Sequence, residues 1–331
     1  MILYNSCVRR PPVPPILVLG IGVLAVSAAS ILIRFAQAEA PSLTIAAWRL
    51  GLATLALTPF ALGRRRRELA ALRSDELGLA LLSGLFLALH VALWISSLAL
   101  TSVASSVVLV STAPLWVALL SPLALKEPLS RPMAAGMLLA LAGSSIVAFG
   151  DTCTWSSAGL SCPSAPELVR GGAFLGDLLA LGGGVSGAVY LIIGRRLRSG
   201  FSLLTYIFLV YGMAAIALAL AVRAMGLPMF GFSRLTYVWL LAVALVPQLI
   251  GHTSYNWALA YLSAAFVSIA VLGEPVGSSI LAFFLFDERI TALKAVGMAL
   301  ILAGIYLATR GEARTGQAQT AELAEDRGGR G

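Results

Sequence analysis

Few side chains in this 331-residue chain could do chemistry, because most lie among long apolar runs. Glu274 stands directly before Pro275 in such a run. Proline lacks an N–H and frees the carbonyl one turn earlier, so a helix can bend and accept hydrogen bonds there. A carboxylate at that bend could bind a substrate ammonium or carry a coupled proton; alternatively it caps a neighbouring helix or is paired internally. The only histidines, His90 and His252, also lie within apolar runs. His90 and Trp94 are four residues apart, hence on one helical face, and His252, Tyr255 and Asn256 share another. With Tyr190 and Trp116 they could form an aromatic, weakly polar pocket, or act as satisfied core residues and interface anchors. Arg49 lies about 9 Å from the outer end of its run at 1.5 Å per helical residue. It either snorkels outward or lines a vestibule that attracts an anionic group. Ser27, Ser30, Ser186, Ser111 and Thr112 add small hydroxyls, which line a pocket or serve plain helix packing.

Other chemistries find little support. No His/Cys/carboxylate group has metal-ligand spacing, no phosphate-binding loop occurs, and nothing calls for a cofactor. Gly184-Val185-Ser186-Gly187 matches the G-x-S-G of intramembrane serine proteases, with His252 as the conceivable base. The motif is short in a chain with 32 glycines, and no second motif supports it. The expectation is therefore that the chain is no enzyme, with Ser186/His252 proteolysis, a channel or a non-transporting scaffold as the alternatives.

The elements that must position these residues follow from composition. Charged residues are 11%, hydrophobic residues 59%, and mean hydropathy is +0.92. Soluble domains carry about 25% charge, so a cytosolic enzyme, a disulfide scaffold and a disordered chain are excluded. The apolar runs are continuous rather than alternating, which excludes a porin-type barrel. A bilayer core needs about 20 helical residues. Ten such runs start near Ile16, Leu43, Leu77, Ser105, Met133, Ala173, Leu203, Thr236, Ala264 and Thr291. They end near Phe35, Leu62, Leu100, Leu125, Phe149, Gly194, Val222, Tyr261, Phe286 and Thr309. Ala36-Gln37-Ala38 fits a signal-peptide cleavage site, but Ile16 to Ile33 exceeds the roughly 7–15 residues of a signal's apolar region. The expected class is an all-α polytopic membrane protein. A cytoplasmic segment over 1–15 comes first, then five helices over 16–150, an external loop over 151–172 and five helices over 173–309. A disordered cytoplasmic tail over 310–331 closes the chain.

Orientation follows from basic residues, which favour the cytoplasmic side. With both termini cytoplasmic, Arg9, Arg10, Arg64 to Arg67, Arg73, Lys126, Arg131, Arg195, Arg196, Arg198 and the tail arginines fall inside. Arg34, Arg170, Arg223, Arg234, Arg289 and Lys294 fall outside, clearly the smaller set. The net charge of +8 thus reports topology, not nucleic-acid binding. Cys153 and Cys162 share the long outer loop, where a disulfide persists and contributes roughly 2–3 kcal/mol. Cys7 is left as a free thiol.

The two halves repeat. In one register Pro114 matches Pro275, Glu127 matches Glu288, Gly136-Met137 matches Gly297-Met298, and Ala142-Gly143 matches Ala303-Gly304. His90 falls opposite His252 and Val26-Ser27 opposite Val185-Ser186 in closely similar registers. Five spans is an odd number, so the second half enters the membrane inverted. The paired glycines read as close-packing sites of the fifth and tenth helices. Glu127 and Glu288, beside Lys126, Arg131, Asp287 and Arg289, read as ion pairs or caps that hold loops or gates.

The fourth-run STAPLWVALLSPLALKEPLS, the ninth-run VLGEPVGSSILAFFLFDERIT, the closing AAGMLLALAG and AVGMALILAG, and AAWRLGLATLAL resemble the drug/metabolite transporter superfamily, specifically its EamA-type members. The resemblance covers roughly Ile16 to Thr309. It implies a secondary transporter moving small organic solutes, often exporting amino acids or related metabolites, from a multi-pass position in the inner membrane. The partners implied are the lipid bilayer and a small-molecule substrate; the oligomeric state is left open, a monomer included. The long outer loop with its cysteine pair departs from a minimal member.

Overall fold

The computed structural model describes residues 11–101, 103–127, 129–152, 154–156, 159–161, 172–286 and 290–328. Among these, nine helices are long and apolar enough to cross a membrane. They are Pro15–Ala36, Ser42–Arg64, Ser74–Leu100, Ser106–Ala124, Phe174–Arg198, Leu203–Ala224, Arg234–Ala258, Ala264–Leu285 and Ala292–Ala313. The shorter apolar stretch Arg131–Val147, part of the helix Arg131–Thr152, fills the fifth place and completes ten spans. Leucines and phenylalanines such as Leu55, Leu123 and Phe284 point outward, as a lipid-facing surface requires.

Local sequence explains where the spans bend. The fourth is split into Val103–Val110 and Ala113–Ala124 with Pro114 in the first turn of the second piece. The ninth is split into Ala264–Val271 and Glu274–Phe286, again with proline at the restart. In the eighth, Pro247 lies inside a π-helical stretch, Ala244–His252. The first is split at Ala28 without a proline. There Ser27 Oγ donates to Val23 O at 2.8 Å, a back-bond of the kind that bends helices.

The two halves meet about a two-fold axis that lies across the helices. A β-carbon on Gly143 would stand 2.6 Å from Gly297 O, and one on Gly304 would stand 2.5 Å from Gly136 O. Positions rise along the fifth helix as they fall along the tenth, so the pair is antiparallel. Exchanging the repeats maps each contact onto the other. The third and sixth spans pack the same way, Gly187 against His90 and Gly183 against Trp94. Their repeat counterparts, the eighth and first, bring Gly22 against Tyr255 and Gly251 against Val26.

Two segments carry more local structure than a plain loop and an unstructured tail. The 151–172 segment contains an antiparallel hairpin, Thr154–Ser156 with Gly159–Ser161. The tail does not lose structure after Thr309, because the last helix runs from Ala292 to Gly328. Its Ala, Glu, Gln and Arg residues are strong helix formers with no proline among them.

A buried charged centre between the two repeats

The breaks of the first and ninth spans touch. The Ser27 hydroxyl shares its one proton between Val23 O at 2.8 Å and Glu274 O at 3.2 Å, and Ser278 Oγ donates to Ser27 O at 2.9 Å. The Glu274 side chain is half-buried at the start of the ninth span's second piece, and among the described residues its carboxylate accepts no hydrogen bond. Its repeat counterpart is Ala113, so the first half carries no matching acid.

Arg49 is fully buried, so it does not snorkel. Its Nε donates to Gln248 Oε1 on the eighth span at 2.7 Å. Both terminal nitrogens, Nη1 and Nη2, are buried without a hydrogen-bond partner. Glu274, Tyr190, Tyr211, Tyr255 and both histidines lie within electrostatic reach of this guanidinium.

An aromatic chain extends from it. The His90 ring lies parallel to that of Trp94 at 6.4 Å and 6.2 Å from that of His252, which is 5.7 Å from Tyr255. His90 Nδ1 is 2.9 Å from Gly183 O. Trp94 Nε1, His252 Nδ1, Tyr255 OH and Gln248 Nε2 are buried and unpartnered. The centre thus holds a surplus of donors around one cation and one acid.

Tyr190 and Asn256 sit beside it but are spent on each other. Tyr190 OH donates to Asn256 Oδ1 at 2.6 Å, and Asn256 Nδ2 donates to Tyr211 OH at 3.2 Å, which is 3.2 Å from Thr253 Oγ1. Trp116 is not brought into the ring cluster; its indole donates to Thr112 Oγ1 at 3.3 Å, one turn away on the same span. Among the described residues, Ser186 and His252 share no hydrogen bond, and His252 Nδ1 is buried without a partner.

Away from the centre, carboxylates bind the loops of one half to helix starts in the other. Glu127 pairs with Arg195 at 2.7 Å, not with neighbouring Lys126 or Arg131, and accepts from Ala264 N at 3.4 Å. Arg195 also donates to Leu259 O at 2.9 Å. Glu39 accepts from Ser233 N at 2.8 Å and Thr236 Oγ1 at 2.9 Å. The first of these bonds, with further ones from Thr236 and the Ser233 side chain, holds the Glu39 carboxyl below the ordinary 4.5. Glu68 accepts from Ser202 N at 2.8 Å. Its partial burial favours the neutral acid, but the Ser202 and Thr205 bonds and nearby Arg65 outweigh that and lower it overall. Glu288, Cys153 and Cys162 lie outside the described residues.

Gln248, Tyr211, Glu39 and Glu68 were not singled out from sequence. Gln248 follows Pro247 in an apolar run, the same juxtaposition of polar residue and proline that drew attention to Glu274.

Comparison with known proteins fits this architecture. The EamA-like transporter family model matches residues 14–149 and again 174–310. An uncharacterized transporter of Archaeoglobus fulgidus is 27% identical over 274 residues, covering 81% of this chain and 87% of that protein. A protein crystal structure superposes with a TM-score of 0.71 at 20% identity, over 91% of this chain and 98% of the other, which shows a shared fold. Two inverted helical halves, each matched by the same family model, make this chain a multi-pass membrane protein of the EamA-like transporter family.

Proposed function

We propose that the chain is a secondary transporter that moves small organic solutes by alternating access, amino acids or related metabolites above all, and in the export direction. The observation that carries the reading is the meeting of the two repeats at Arg49 and Glu274. One buried cation with two unpartnered nitrogens and one half-buried acid complement a solute bearing a carboxylate and an ammonium. Two inverted halves offer two nearly equivalent packings, one open to each side. His90, Trp94, His252 and Tyr255 border the solute path; Ser27 and the breaks at Pro114 and Pro275 let the spans move around it. The protein sits in a bacterial inner membrane with both termini cytoplasmic. Its functional units are the two repeats, 16–150 and 173–309.

Uptake into proteoliposomes, screened across amino acids with and without a pH gradient, tests this. Saturable uptake of at least one amino acid, absent from protein-free liposomes, is expected. Conductive ion leak without saturable amino-acid flux would contradict it.

A further inference from the structure

We infer that the centre matches protons to substrate charge: a monoanionic carboxylate binds at Arg49 together with one proton taken up by Glu274, whereas a zwitterion binds with none. The inference rests on the transporter reading above and names the charge class that its site accepts.

Arg49 is fully buried, and Gln248 occupies only its Nε. The free edge formed by Nη1 and Nη2 is the geometry that a carboxylate meets with two parallel bonds. Unpartnered Gln248 Nε2 beside it, with Trp94 Nε1 in the same cluster, adds donors rather than acceptors. The first binding partner of this edge is therefore an anion.

Charge balance does the rest. Arg49 and an ionised Glu274 sum to zero. A zwitterion leaves that sum unchanged, its carboxylate on Arg49 and its ammonium on Glu274. A monoanion would leave one uncompensated negative charge in a low-dielectric interior, which is costly. Moving one proton from water onto the Glu274 carboxylate restores neutrality. A cation finds only Glu274 and faces Arg49, so it is excluded.

The groups around Glu274 allow this assignment. Arg49 faces it from the second span and Tyr255 from the eighth. Among the described residues, the first and tenth spans bring no titratable side chain to it. His90 and His252 face Arg49 and are the other groups that could take a proton.

Three probes with one body separate the cases: leucine, N-acetylleucine and leucine amide, which are a zwitterion, an anion and a cation. Binding to the purified full-length protein is measured by calorimetry in buffers of different ionisation enthalpy, which reports protons taken up. At a pH high enough for Glu274 to be ionised in the free protein, the expected result is one proton per N-acetylleucine, none per leucine, and no binding of the amide. While Glu274 is ionised, N-acetylleucine affinity rises about tenfold for each unit of falling pH, the slope of a single linked proton. In Glu274→Gln that slope and the proton uptake vanish together. Proton uptake that survives Glu274→Gln would assign it to a histidine and overturn the inference. So would N-acetylleucine binding without uptake, or failure of both carboxylates to bind. Absence of any amino-acid flux in the uptake screen would instead overturn the transport reading beneath it.

Discussion

Arg49 donates from Nε to Gln248 Oε1 at 2.7 Å, joining the second span of one repeat to the eighth span of the other. Removing that acceptor strands a buried guanidinium, and a hydrogen bond to a charged group is worth about 1.5–3 kcal/mol. Gln248→Leu should therefore lower the thermal midpoint in detergent by several degrees. The double change Arg49→Met with Gln248→Leu should recover much of the loss while abolishing transport. A Gln248→Leu protein with the parent midpoint would show that the bond carries no weight.

Glycines separate packing from mere helix content. Gly136, Gly143, Gly297 and Gly304 face backbone too closely for a β-carbon, whereas Gly63 and Gly78 have nothing within 4 Å. Gly143→Ala or Gly304→Ala should cost about 1–3 kcal/mol of stability by overpacking. Gly63→Ala and Gly78→Ala should gain about 0.5–1 kcal/mol. Equal effects in both groups, read as thermal midpoints, would contradict the close fifth–tenth contact.

Glu39 and Glu68 predict an acid limb. Each carboxyl is held below its ordinary value, so the folded form binds its proton less readily than the unfolded chain. Their contribution is complete above about pH 4.5, where both states are ionised, and is lost as pH falls through the lower folded value. Glu39→Gln and Glu68→Gln should flatten the fall in thermal midpoint below that pH. They should lower the midpoint at neutral pH. A parent-like acid limb in the double variant would assign it to other groups.

The hairpin of Thr154–Ser156 with Gly159–Ser161 lies between the two cysteines in sequence. Its register sets Thr154 opposite Ser161, and these residues neighbour Cys153 and Cys162 in sequence. Non-reducing peptide mapping should find Cys153 linked to Cys162 and Cys7 free, with the bridge reducible only from outside the cell. Free Cys153 in membranes prepared without reductant would remove the staple.

Much of this was legible because the bilayer imposes one rule on every span. Apolar run length located the helices, and recurring Pro, Glu and Gly placed the halves in register before any packing was known. The centre was legible in part. Glu274, the histidines and Arg49 stood out because ionisable side chains are rare in hydrocarbon. Their partners did not. Gln248 reaches Arg49 from a π-helical stretch, and no periodicity in the sequence marks an extra residue per turn. Tyr190 and Asn256 had the right types and depth but bond each other, which only three-dimensional placement reveals. Trp116 shared the composition of the aromatic pocket, yet its indole bonds Thr112 on its own span. The pairing of Glu127 with Arg195 joins residues far apart in the chain, whereas sequence reading favours near neighbours.

In the alternating-access reading, the two repeats exchange access to one centre. Ala113, the first-repeat counterpart of Glu274, is half-buried beside the break of the fourth span and small enough to replace gently. In a chain with Cys7, Cys153 and Cys162 changed to Ser, Ala113→Cys should react with a membrane-impermeant thiol reagent from either side of a proteoliposome. A transported amino acid should raise reactivity on one side while lowering it on the other. Labelling from one side only, whatever the solute or pH gradient, would contradict the account.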